Sequence, residues 1–141
     1  MSDVNIGAVV AATVAMFVVG AVWYMGLFAK KWGEIHGFDK LDKKTQKEMQ
    51  AKMGPYYFAQ IVVTVFSAFV LAKLIGLLPG YSVYTLALLV WFGFVLPTQV
   101  SAVIFGGTEP KWITQKISIM AGEALAHLLV AAWVISMIQK Y

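Results

Sequence analysis

The sequence predicts an all-α integral membrane protein: four transmembrane helices in an antiparallel bundle, with a short cytoplasmic helix between the first two. Three observations carry this. Between Lys52 and Glu109 a single charge, Lys73, interrupts the chain, and a second uncharged run extends from Val4 to Ala29. Hydrophobic residues make up 60% and charged residues 13%, against about 25% charged in soluble domains. The remaining lysines cluster between the apolar runs.

Crossing the hydrocarbon core takes about 20 mostly apolar residues. Four stretches qualify, near 6–28, 56–78, 84–105 and 117–138, within one domain spanning 1–141. The first is predicted to be a retained span. Its leading Met-Ser-Asp-Val-Asn has no positive charge, and its apolar run exceeds the ~7–15 residues of a signal peptide. The connection 29–55 carries Lys30, Lys31, Lys40, Lys43, Lys44, Lys47 and Lys52. It is predicted to hold a helix capped by Asp39, with Asp42 three residues on and a Glu48–Lys52 pair one turn apart. Gly54-Pro55 ends that helix and begins the next. Ile35, Phe38, Leu41, Met49 and Met53 form a candidate apolar stripe. Either the segment lies on the bilayer and binds anionic lipid, or it is a solvated linker whose lysines set topology; the second is favoured.

After the second span Pro79-Gly80-Tyr81 marks a turn, and Lys111 and Lys116 follow the third. Four spans put both lysine-bearing connections on one face, which the positive-inside rule makes cytoplasmic. Both termini then face outward. Lys73 and Lys140, near outer span ends, have stems long enough to reach the interface. Trp32, Tyr56, Tyr57 and Trp112 mark the inner boundary, and Tyr81, Tyr84 and Trp133 the outer one, as an aromatic belt should.

Several chemistries are set aside. There is no cysteine, so no disulfide and no thiolate metal site. Arginine is absent, which removes bidentate clamping of phosphate or carboxylate. The net charge of +4 sits in topology-setting clusters, which argues for a lipid partner and against nucleic acid. No glycine-rich phosphate loop, catalytic carboxylate pair or serine nucleophile motif occurs. No catalytic residue, enzyme activity or cofactor is therefore assigned. A metal wants three or four ligands, which one His and one Glu do not supply. His36 reads as a solvated loop residue.

Small residues recur every four positions in the first span (Gly7, Ala11, Ala15) and the fourth (Ser118, Gly122, Ala126), the spacing that lets membrane helices approach closely. They would pack either within one chain or against a second copy. The two halves also share a faint likeness. Trp23-Tyr24 precedes Lys31-Trp32, and Trp91-Phe92 precedes Lys111-Trp112, so any repeat would be parallel.

The stretch from Gly20 to Trp32 (GAVWYMGLFAKKW), the Trp91-Phe92-Gly93-Phe94-Val95-Leu96-Pro97 segment and the Phe105-Gly106-Gly107 exit resemble the domain-of-unknown-function family numbered 1761. That resemblance covers nearly the whole chain. It implies a small bacterial protein with about four spans, hence a place in the bacterial cytoplasmic membrane, and brings no activity. Glu123 and His127 are not carried over from it.

Those two residues form the candidate site. They lie one helical turn apart on one face of the fourth span. An ionisable residue inside a span costs at least ~2.5–3.5 kcal/mol and often marks function. At 1.5 Å per residue, Glu123 and His127 stand about 9 and 15 Å from the inner end of their span. Gln60, Thr64 and Ser67 of the second span and Thr98 and Gln99 of the third fall at similar depths. Pro97, lacking an N–H, frees the Gly93 carbonyl and is predicted to kink the third span there. The expectation is a polar layer in the cytoplasmic half, lined by Gln60, Thr64, Thr98, Gln99, Glu123 and His127. It is either a cavity or a set of interhelical hydrogen bonds worth ~0.6 kcal/mol each. Three functions remain open. The first is a structural, accessory or lipid-organising membrane protein, alone or with a protein partner. The alternative is a small oligomeric proton-linked transporter or channel. The third is a membrane enzyme using Glu123 and His127 as acid and base.

Overall fold

A computed structural model of the chain describes residues 3–139; Lys140 lies outside them. Every regular element among the described residues is helical. Four helices are long and apolar enough to cross a membrane, Ile6–Leu27, Gly54–Leu77, Val83–Phe105 and Pro110–Ile138, close to the predicted bounds.

Two of the four carry a π-helical segment. The first long helix is α1 (Ile6–Ala21), capped by the Asn5 side chain accepting from the Ala8 N–H, followed by a π-helical segment, Val22–Leu27. A π turn also interrupts the third, between α5 (Val83–Val90) and α6 (Leu96–Phe105), over Trp91–Val95. That segment ends just ahead of Pro97, so the predicted irregularity takes the form of a wider turn. The second long helix, α4 (Gly54–Leu77), starts with Pro55 in its first turn, and α7 (Ile113–Ile138) forms most of the fourth.

The lysine-rich connection differs from expectation at its start. α2 (Ala29–Ile35) is followed by Gly37 at φ 70°, a 3-10 turn over Phe38–Lys40, and extended backbone at Leu41. Extended backbone therefore meets helix at Asp42. Asp42, not Asp39, caps α3 (Lys43–Ala51), accepting from the Thr45 N–H at 3.2 Å. That bonding, the Thr45 contribution foremost, holds the Asp42 carboxyl below its ordinary value. Glu48 and Lys52 are not among the ion pairs of the described residues; Lys31–Glu34, at 3.0 Å, is.

Helix α7 is the central element. It packs along α1 and along both halves of the third long helix, while α4 leans mainly on α1. The core is made of alanines: Ala8, Ala12, Ala68, Ala72, Ala87, Ala131 and Ala132 are all 0% exposed. Leu71, Ile75, Leu128 and Ile135 fill the gaps between them. Small side chains such as these alanines let helix backbones approach closely. On α1 the approaching face is Ala8–Ala12–Met16, one residue round from the anticipated Gly7–Ala11–Ala15 face, which is exposed or half-buried. Gln139 closes this end: its Nε2 donates to the Ala72 carbonyl at 2.9 Å and its Oε1 accepts from the Asn5 N–H at 3.2 Å. At the lysine-rich end the packing opens, and every residue from 54 to 63 on α4 is exposed.

Candidate functional site

On α7, Glu123 Oε1 and His127 Nδ1 lie 2.8 Å apart. Glu123 is 8% exposed and His127 half-buried. Room for the carboxyl comes from Gly20 on the first helix, where an added Cβ would sit 3.4 Å from Glu123 Oε1. Tyr24, one turn on from Gly20, is half-buried.

Two tryptophans frame the pair. Trp23 Nε1 donates to the Ile119 carbonyl at 3.0 Å, and Trp91 Nε1 donates to the Ala121 carbonyl at 2.9 Å. A carbonyl has two lone pairs, so α7 accepts these bonds and keeps its own ladder. The indole of Trp23 lies against Gly122, where a Cβ would come within 3.0 Å of Cζ2; glycine there lets the ring in. Each tryptophan sits in one of the two π segments and accepts its i+5 bond, Phe28 N–H to Trp23 O at 2.9 Å and Leu96 N–H to Trp91 O. A π turn adds a residue to the ring and re-aims its side chains, and such turns recur at functional sites. Here they aim indoles from two helices at the one stretch of α7 that carries Glu123.

The other predicted site residues are placed differently. Thr64 is buried and donates to the Gln60 carbonyl at 2.6 Å, while Gln60 Nε2 reaches Thr64 Oγ1 at 3.3 Å. Thr98 is exposed and donates to the Phe94 carbonyl at 2.7 Å. Gln99 is half-buried, with Oε1 buried and unpartnered. The structure thus brings together Glu123 with His127, and Gln60 with Thr64. Among the described residues no hydrogen bond joins these pairs to each other, to Thr98 or to Gln99. No three His, Asp or Glu side chains converge as a metal site requires, among the described residues.

The hydroxyls close local bonds because a serine or threonine within a helix can reach the carbonyl one turn back. Thr13, Ser67 and Ser118 do the same. Bonds between helices come instead from Trp23 and Trp91, which the sequence singled out only in its faint repeat and family likeness, and from Gln139, which it did not single out. A signal for two of them was present, in the shared Trp-aromatic dipeptide of the two halves.

Towards the lysine-rich end an aromatic cluster continues from the site. Tyr24 packs on Trp32 with centroids 4.8 Å apart, and Trp32 on the His36 ring at 4.4 Å. His36 Nδ1 is also 2.8 Å from the Trp32 carbonyl, so it is more tightly held than a free loop residue. Lys31 and Lys111 both lie over the Trp112 ring at 5.3 Å, and Lys116 over Trp32 at 5.8 Å, within the range of cation–π attraction.

A family model described as "Protein of unknown function (DUF1761)" matches residues 7–138. No curated protein and no solved structure matches the chain.

Proposed function

The chain belongs to the DUF1761 family, whose description assigns no activity, and from its site we propose a small proton-linked membrane transporter or channel subunit in which Glu123 and His127 hold the proton. In this reading the four long helices form an antiparallel bundle in the bacterial cytoplasmic membrane. The lysine-rich connection faces the cytoplasm, in keeping with the positive-inside rule, and both termini face outward. Four helices leave little room for a pathway, so the working form is a homo-oligomer.

One observation carries the proposal. Glu123 and His127 bond to each other on the same helix, while the bonds between helices come from Trp23, Trp91 and Gln139. An ionisable pair inside a span is costly, and a pair that ties no helix to another is poorly explained as packing. A carboxyl and an imidazole at hydrogen-bond distance can pass one proton between them, histidine being the side chain suited to exchange near neutral pH. Tyr24 and the Trp32–His36 cluster lie between the pair and the lysine-rich end.

The test is proton flux into proteoliposomes carrying a pH-sensitive dye and an imposed gradient. Flux above protein-free vesicles that is lost in Glu123→Gln and reduced in His127→Ala supports the reading. Equal flux in parent and variant refutes it. A second reading, an accessory or lipid-organising protein, is favoured by the exposed stretch 54–63 of α4, which offers apolar surface to lipid or to another membrane protein. It predicts that Glu123→Gln is silent and that a partner co-purifies.

A further inference from the structure

Away from the Glu123 pair, the lysine-rich end holds a polar pocket of about 500 Å³ between the α2–α3 connection and the loop joining α6 to α7. We infer that this pocket binds the zwitterionic headgroup of a membrane phospholipid, a phosphodiester joined to a primary ammonium, in the leaflet at that end.

Charge is the first argument. The lining includes three carboxylates, Glu34, Asp39 and Glu109, and three ammonium groups, Lys40, Lys111 and Lys116. A balanced lining suits a ligand carrying both signs better than an anion. Glu34 pairs with Lys31 and Glu109 with Lys111, while Asp39, Lys40 and Lys116 have no ion pair among the described residues. They offer one acceptor for an ammonium and two donors for a phosphate.

The second argument is an unmet polar atom. Thr108 lines the pocket, and its Oγ1 is buried without a hydrogen-bond partner. A buried hydroxyl left so is an unmet donor; turned into the pocket by a change of rotamer, it would donate to a phosphate oxygen. The third is backbone shape. Gly37 and Gly107, the two residues with positive φ among the described residues, at 70° and 76°, both line the pocket. A Cβ at either would meet nothing within 4 Å, so the walls turn by glycine and leave the space open. At neighbouring Gly106 a Cβ would collide with the Ala102 carbonyl, which fixes that wall.

A lipid source follows from what adjoins the pocket. Phe105, next in sequence to Gly106, is 87% exposed, and beyond it runs the apolar surface of α6, along which an acyl chain can lie. A primary ammonium is preferred over a trimethylated one because the Trp112 face is already covered by Lys31 and Lys111, leaving carboxylate hydrogen bonding as the available recognition.

The experiment is native mass spectrometry of the full chain released from nanodiscs. These hold equal parts of phosphatidylethanolamine, phosphatidylcholine and phosphatidylglycerol with identical acyl chains. One phosphatidylethanolamine should be retained about tenfold over phosphatidylcholine, the difference one charge-assisted hydrogen bond makes. Asp39→Asn with Lys40→Gln, both exposed positions, should bring that ratio to about one while leaving thermal unfolding unchanged. Equal retention of the ethanolamine and choline lipids, preference for phosphatidylglycerol, or a ratio unmoved by the double substitution would overturn the inference. Soluble phosphoethanolamine at the lipid's concentration should not displace the bound lipid; displacement would overturn the lipid source.

Discussion

The half of the bundle nearest the Pro79–Gly80 turn and the half nearest the lysines belong to the same four long helices, yet they are put together in different ways. In the first, alanines at zero exposure bring backbones together, and Gln139 ties the ends of three helices. In the second, α4 stands exposed from 54 to 63, two helices change to π geometry, and two indoles reach into α7 around Glu123. Stability is thus concentrated at one end, and the costly ionisable pair sits where the packing opens. Functional elements are generally drawn from the less tightly packed part of a fold.

This contrast can be broken by substitution. The largest expected effect is at a closed-half alanine. Ala131→Leu should destabilise by about 1–3 kcal/mol through overpacking, whereas Ile61→Ala in the open half should fall within about 0.5 kcal/mol of the parent, both read by thermal unfolding in detergent. Equal losses would erase the distinction. Next comes Gln139→Leu, which removes the bonds to the Asn5 N–H and the Ala72 carbonyl and should cost about 1–2 kcal/mol, with faster hydrogen exchange at Asn5. Smaller still, Trp91→Phe keeps an aromatic ring, though a smaller one, and removes the donor to Ala121. A loss of about 0.6–1.7 kcal/mol is expected; no loss would remove the indole from the set of bonds that join helices.

The smallest effect concerns Asp42. Its carboxyl is held below the ordinary value of 3.8, so its help to α3 is present above that pH and is lost as pH falls through the lower folded value. The protection factor of the Thr45 amide, its exchange rate normalised to that of an unstructured amide at the same pH, should fall on acidification in the parent. In Asp42→Ala it should be low and flat across the same range.

What could be read from the sequence follows the reach of each signal. The long helices were legible because twenty apolar residues in a row have few other uses, and the Glu123–His127 contact because positions four apart must share a helix face. Gly54-Pro55 marked a helix start for the same local reason. The π segments were not legible, since an i+5 bond leaves no trace in hydrophobic periodicity. Nor were the tryptophan bonds to α7, which depend on how three helices rotate against one another. Thr98 shared a depth with the pair but not a direction, because depth is set by rise along the axis and facing by a rotation that the π turn alters. Asp39 matched the capping pattern, yet the left-handed Gly37 and extended Leu41 moved the helix start to Asp42.

The central claim is a division of labour: tryptophans and Gln139 join the helices, and Glu123 with His127 does not. Thermal unfolding of Glu123→Gln in detergent tests it most directly, because the amide keeps the shape and can still reach His127. The account predicts a change smaller than about 0.6 kcal/mol, the average for an interhelical bond in a membrane protein. A loss greater than about 1.7 kcal/mol, the upper end for an interhelical bond in a membrane protein, would contradict it and make the pair part of what holds the bundle together.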